Sequence, residues 1–228
     1  MGTVAKKPRL GWGLLTRRLC LCPTWRGWLV LLALGAMLGV GAVRGVYPFL
    51  AVNAPLPGGT LVVEGWGPDY VLARARAELE RRHGDKLFVT GGPLEKGAPL
   101  SEYKTFAEMG VATLAAMGLS TNRLQAMPAP PVRHDRTYAS AVALKTWWRG
   151  HGGLPAEVNI ITVGPHARRT RLLFEKALSP EIRVGIMAVE SQDYDPQRWW
   201  TTSPGVRTVI GEAIAYAYAR IFFRAPAA

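Results

Sequence analysis

The stretch Val158-Asn159-Ile160-Ile161-Thr162-Val163-Gly164-Pro165-His166-Ala167-Arg168-Arg169-Thr170 holds the residues best equipped for chemistry. An apolar run that breaks at Gly-Pro reads as a buried strand and its exit turn. Leu172, Leu173, Phe174 and Leu178 follow at helical spacing, so a helix packed on the sheet comes next. One imidazole and two guanidinium groups are thereby delivered to the carboxyl end of a strand, where open α/β sheets bind ligands. His166 has the chemistry of a general acid or base, although a His at a helix start can also serve as an N-terminal hydrogen-bonding residue. Arg168 and Arg169 point to different sides of a helix. Arg168 is assigned to the site, where it would hold an anion.

Two other strand ends should converge on this turn. Residues 60–66 supply Glu64 and Gly65, and residues 86–92 supply Thr90, Gly91 and Gly92. A Gly-Gly exit lets backbone N–H groups approach a ligand, and a helix N-terminus favours phosphate or carboxylate. No Gly-Lys-Ser/Thr follows, so this is not a P-loop, and no dinucleotide fingerprint is present. Glu64 could orient His166, accept a proton or hold a metal; its alternative is a salt bridge to Arg136 or Arg168. Arg136 and Thr137 open a helix for which Asp135 is a natural cap, and Arg136 can grip an anion bidentately. Glu102, beside the candidate N-cap Ser101, is placed in the same cleft. Asp193-Tyr194-Asp195-Pro196 with Trp199, Trp200, Ser203 and Arg207 reads as an aromatic lid, or as packing against the domain or the membrane face. The sequence assigns no metal set and no cofactor.

The elements that must position these residues alternate. Strands are expected at 60–64, 86–90, 123–127, 158–163 and 182–189. Helices are expected at 69–82, 101–117, 137–149, 166–178 and 206–223, the last burying Val209, Ile210, Ala213, Ile214, Ala217 and Tyr218 at three-and-four spacing. The strands are near-continuous apolar runs, as parallel strands covered on both faces are. The predicted fold class is α/β: a doubly wound, mostly parallel sheet of about five strands with a closing C-terminal helix.

A single transmembrane helix precedes this domain. Residues 28–43 are uncharged and rich in Leu and Val, and the flanks extend the run to the length a bilayer needs. Trp25, Trp28 and Tyr47 stand where interfacial aromatics belong. The chain carries a formal net charge of +12, but Lys6, Lys7, Arg9, Arg17, Arg18, Arg26 and Arg44 all precede the first acid, Glu64. Of 28 basic residues, 21 remain from position 45 onward against 16 acids, a net of +5. The positive-inside rule therefore puts the N-terminus in the cytoplasm and the main domain on the extracytoplasmic side of a bacterial inner membrane. The alternative is a cleaved signal peptide, with small residues at Val40-Gly41-Ala42 and Val52-Asn53-Ala54; Pro55 after the second and the long basic head weigh against it. The domain plan is a basic head (1–26), an anchor (27–50), a linker of breakers (51–59) and the α/β domain (60–228). The basic charge lies in the head rather than in a folded stripe, so nucleic acid is not an expected partner. Cys20 and Cys22, the only cysteines, precede the span, so no disulfide supports the exported part.

Five motifs together resemble the SanA/YdcF/ElyC-like envelope proteins. They are Val62-Val63-Glu64-Gly65, Val89-Thr90-Gly91-Gly92, Ser101-Glu102, Arg136-Thr137-Tyr138-Ala139-Ser140-Ala141 and Thr162-Val163-Gly164-Pro165-His166-Ala167-Arg168-Arg169. The similarity covers about residues 60–190, and the anchor resembles that of SanA. Glu64 and Trp66 stand where the family has glycines, and Arg136 and Ser140 replace two asparagines, which marks a divergent branch with an altered site. The resemblance implies a Rossmann-like domain at the bacterial envelope, with links to cell-wall (peptidoglycan) and lipid-carrier metabolism and to barrier function. It also implies S-adenosylmethionine as one ligand to weigh, against which stand the missing glycine-rich first loop and an extracytoplasmic location. The expected activity is binding, with hydrolysis or transfer, of a phosphorylated or lipid-linked anion. The rival expectation is a non-catalytic ligand-sensing or partner-docking module.

Overall fold

The computed structural model describes residues 9–10, 15–16, 23–82, 85–95, 97 and 99–226. The readings made on Cys20 and Cys22 and on Lys6, Lys7, Arg17 and Arg18 lie outside these residues. Two compact units divide the chain, Met1–Ala42 and Val43–Ala228.

In the first unit Arg9–Leu10 pairs antiparallel with Leu15–Thr16. Most of helix α1, Trp25–Leu50, follows. It is long and apolar enough to cross a membrane, and Leu29, Leu32, Met37 and Leu38 on it are exposed.

The second unit is α/β. Strands β1 (Thr60–Glu64), β2 (Leu87–Gly91), β3 (Leu124–Pro128), β4 (Glu157–Val163) and β5 (Arg183–Val189) form one sheet in the order β3-β2-β1-β4-β5. Every neighbouring pair is parallel. Helices α2 (Asp69–Glu80), α3 (Phe106–Ala116), α4 (Arg136–Gly150) and α5 (Ala167–Leu178) connect the strands, and α6 (Ser203–Ile221) closes the chain.

Period-two alternation makes two cores. Leu61, Val63, Leu87 and Val89 meet Val71, Leu72, Leu79 and Leu114 of α2 and α3. Val62, Phe88, Ile160 and Ile186 meet Ala141, Leu144, Trp148, Phe174 and Leu178 of α4 and α5. The strand order reverses beside β1: the chain winds outward to β2 and β3, then returns to β4. The carboxyl ends of β1 and β4 therefore flank a topological switch point, where an α/β sheet opens a crevice.

Several boundaries differ from expectation. Helix α3 begins at Phe106, not 101, because Thr105 and Glu108 form a reciprocal capping box there. Residues 51–59 are not a free linker. Ala54 bridges Ile186 on the edge strand β5, and Asn159 binds both backbone groups of Leu56. The folded unit accordingly starts at Val43. Tyr47 is not an interfacial aromatic: with Leu50 it is buried in a cluster with Tyr194, Trp199 and Val209. The Trp199 indole donates to the Val43 carbonyl at 3.1 Å. The 193–200 segment is thus packing rather than a lid, because burying Trp199 beside α1 removes it from the cleft.

Candidate active site

A cleft of about 500 Å³ opens at the carboxyl ends of β1 and β4. Its walls include Glu64 and Trp66 after β1, Gly92 and Glu95 after β2, Arg133 to Thr137 and Ser140 at the start of α4, and His166, Arg169 and Glu212.

The floor is a buried charge array. Glu64 points to the α4/α5 side of the sheet, as alternation from Val62 requires, and is 2% exposed. Its Oε2 accepts from the Thr162 hydroxyl at 2.6 Å and the Thr170 hydroxyl at 3.1 Å. His166 Nε2 lies 3.6 Å from the same oxygen, within ion-pair range but beyond hydrogen-bond reach. On the other side His166 Nδ1 lies 2.9 Å from Glu212 Oε1 and 2.9 Å from Arg169 Nη2. Arg169 binds Glu212 bidentately, Nε to Oε2 at 2.8 Å and Nη2 to Oε1 at 3.0 Å. The Trp66 ring meets the imidazole edge-on at 4.8 Å.

Two carboxylates around one imidazole decide its charge. Burial alone would push His166 down, but the Glu64 charge and the Glu212 hydrogen bond raise it to about 9. Burial raises Glu212, yet hydrogen bonds from His166 and Arg169 hold it at about 2. Glu64 also resists its burial and sits below the ordinary carboxylate range, chiefly through the His166 charge. The two carboxylates therefore favour the imidazolium form of His166. Its Nδ1–H is committed to Glu212, while Nε2–H is buried with no hydrogen-bond partner. Such a group is equipped to donate a hydrogen bond or a proton to an oxygen, rather than to accept one.

The rim carries looser charge. Arg136 pairs with Glu95, and both are more than half exposed. Arg133 makes no ion pair among the described residues. Exposed pairs are worth about 0–1 kcal/mol, so Glu95 holds Arg136 only weakly. Next to the cleft, an apolar groove of about 1160 Å³ runs between α4 and the end of α6, lined by Tyr138, Val142, Trp147, Tyr218 and Phe222. Arg133, His134 and Asp135 line both cavities. Asp135 is the only non-glycine residue with positive φ (58°) among the described residues, and it offers no side-chain cap to α4. Among the described residues, no three His, Cys, Asp or Glu side chains form a metal-binding group.

Of the residues picked from sequence, Glu64, Gly92, Arg136, Thr137 and His166 come together in this cleft. Five others do not. The Arg168 guanidinium turns away, donating to the Phe49 carbonyl and lying 4.0 Å over its ring. Arg169, one residue on, occupies the inward position. Thr90 is buried, with its hydroxyl on the Val63 carbonyl at 3.4 Å. Gly65 and Gly91 serve helix packing: a Cβ on Gly65 would lie 2.4 Å from the Phe106 carbonyl oxygen, and one on Gly91 2.6 Å from the Phe106 Cβ. Glu102 is exposed ahead of α3, because the true cap lies at Thr105. Glu64 pairs with neither Arg136 nor Arg168. Sequence reasoning missed Glu212, although it is the only acid after Asp195 and the one acid in α6.

No protein-family model matches the chain, and no curated protein matches it.

Proposed function

We propose that this chain is a membrane-anchored bacterial envelope protein of the SanA/YdcF/ElyC type, with α1 retained in the inner membrane and the α/β domain outside. Its cleft binds a phosphorylated or lipid-linked anion and transfers or hydrolyses the phosphoryl bond, in the service of cell-wall or barrier maintenance. The observation that carries this reading is the buried imidazolium at the switch point, clamped by Glu64 and Glu212 with one N–H uncommitted. Buried, strongly coupled ionisable groups concentrate at functional sites. In this reading Arg133 and Arg136 hold the anion, and His166 protonates the leaving oxygen as water or a hydroxyl takes the phosphorus. Glu64 and Glu212 position the imidazole and keep it charged. The apolar groove that shares Arg133, His134 and Asp135 with the cleft supports the lipid-linked form of the ligand.

The test uses the full chain in detergent micelles, titrated with inorganic phosphate, pyrophosphate, nucleotides, polyprenyl phosphate analogues and S-adenosylmethionine. A phosphorylated compound should bind, and Arg133→Ala or Arg136→Ala should each weaken it about tenfold or more, as loss of a charged hydrogen bond does. His166→Gln should retain binding within a few fold and lose turnover. Binding of S-adenosylmethionine alone, or of nothing in the set, sinks the proposal. One observation favours the second reading, a non-catalytic sensor: the His166 Nε2 atom is buried beside Trp66. That reading expects the same arginine dependence with no turnover in the unaltered chain.

A further inference from the structure

Helix α6 has apolar residues on both faces, and the fold uses only one. Val209, Ala219 and Phe223 are buried, with Ala213 and Tyr216 packed beside them. On the opposite face Val206, Ile210, Ile214, Tyr218 and Ile221 recur at four- and three-residue spacing, a continuous stripe. The stripe is exposed: 44% for Ile210, 66% for Ile214, 68% for Ile221, and 69% for the adjoining Phe222. A large exposed apolar patch marks an interaction surface. Its charges are of one sign. Arg207 and Arg220 are exposed along the helix and Arg224 follows it, whereas Glu212, its one acid, is turned inward to His166 and Arg169.

The occupant is indicated by what α6 packs against. Tyr47 and Leu50, from the last turns of α1, share a buried cluster with Val209, and Phe49 meets Tyr216 edge-on at 5.6 Å. Packed helices lie about 8–10 Å apart, so α6 is held one helix diameter from the end of a segment able to cross a bilayer. A surface helix with an apolar stripe and arginines at its margins suits the lipid headgroup region, where arginine stems snorkel and guanidinium groups meet anionic lipid.

We propose that the outer face of α6 lies in the headgroup layer of the membrane, so that one helix seats the domain on lipid with its outer face and holds His166 through Glu212 with its inner face. The inference does not depend on the ligand of the cleft.

The test is spin-label accessibility on the full chain, with Cys20→Ser and Cys22→Ser, in nanodiscs of phosphatidylcholine and phosphatidylglycerol. Labels go singly at Ile210→Cys, Ile214→Cys and Ile221→Cys, all exposed sites that leave the core intact, with exposed Thr121→Cys as the aqueous control. Stripe labels should collide more with lipid-dissolved oxygen than with an aqueous nickel complex, and the control should show the reverse. Adding Ile214→Asp should lose the lipid contact at Ile210→Cys. Preference for nickel along the stripe overturns the proposal. So does shielding from both reagents with dipolar broadening between copies, which means that a second chain covers the face.

Discussion

At the scale of residues, the chemistry is concentrated in four side chains. Glu64, His166, Glu212 and Arg169 alternate in charge, and each is at least partly withdrawn from water. Removing one member of a buried pair typically costs about 3–5 kcal/mol, because its partner is left charged and unpaired. The coupling also makes stability pH-dependent. His166 titrates near 6.5 when unfolded and at about 9 when folded, so its stabilisation is full below 6.5 and is lost as pH rises through 9. Glu212 moves the other way, from 4.5 to about 2; its contribution is present above 4.5 and lost as pH falls through 2. Melting temperature should therefore be highest between the unfolded values of 4.5 and 6.5 and fall on the alkaline side by the equivalent of a few kcal/mol. Scanning calorimetry of the unaltered chain and of His166→Gln checks this. The variant should melt lower near pH 6 and lose the alkaline slope, and a flat profile in the unaltered chain would rule out a buried imidazolium.

At the scale of elements, the strands place the site and the segments around them keep it there. Asn159, fully buried on β4, accepts from the Leu56 N–H and donates to the Leu56 carbonyl, each at 2.7 Å. This clamps residues 54–59 across the strands, with Ala54 covering the β5 edge. Asn159→Ala would strand both groups, at about 1–3 kcal/mol each. Urea unfolding should show a loss of about 2–6 kcal/mol with little change in slope; a loss within about 0.5 kcal/mol, the ordinary range for a neutral surface change, would mean that the clamp is dispensable. Helix α1 is likewise more than a tether, since Leu50 is fully buried and Tyr47 nearly so.

At the scale of the molecule, charge and hydropathy are segregated along the chain. Seven basic residues precede or lie within the apolar helix before any acid occurs, and the chain from position 45 onward carries a net charge of only +5. The positive-inside rule is the ground on which we propose that the domain is exported. Alkaline phosphatase fused after Ala228 should be active in a bacterial host, and the fusion should stay with membranes through high-salt and alkaline washes. An inactive fusion reverses the orientation. An active fusion released into the soluble fraction at reduced mass shows a cleaved signal sequence instead.

The sequence by itself determined the element order, the parallel sheet and the apolar segment, because these follow from local periodicity: uniformly apolar strands, three-and-four spacing in helices, and a charge-free run. It also located Glu64, Gly92, Arg136, Thr137 and His166 at strand and helix ends, since a switch point gathers such ends wherever the strands alternate with helices. The tertiary structure decided the rest. At about 3.6 residues per turn, one position of phase separates Arg169 inside the cleft from Arg168 on Phe49, and only packing sets that phase. Glu212 reaches His166 from 46 residues away, a distance that no local pattern spans. Thr105 takes the helix cap from Ser101 because its own carboxylate partner stands three residues on, and that shift leaves Glu102 in solvent. The apolar spacing of α6 was legible, but not which face the domain would cover, because two apolar faces compete for one core. The face left over is the one we assign to lipid.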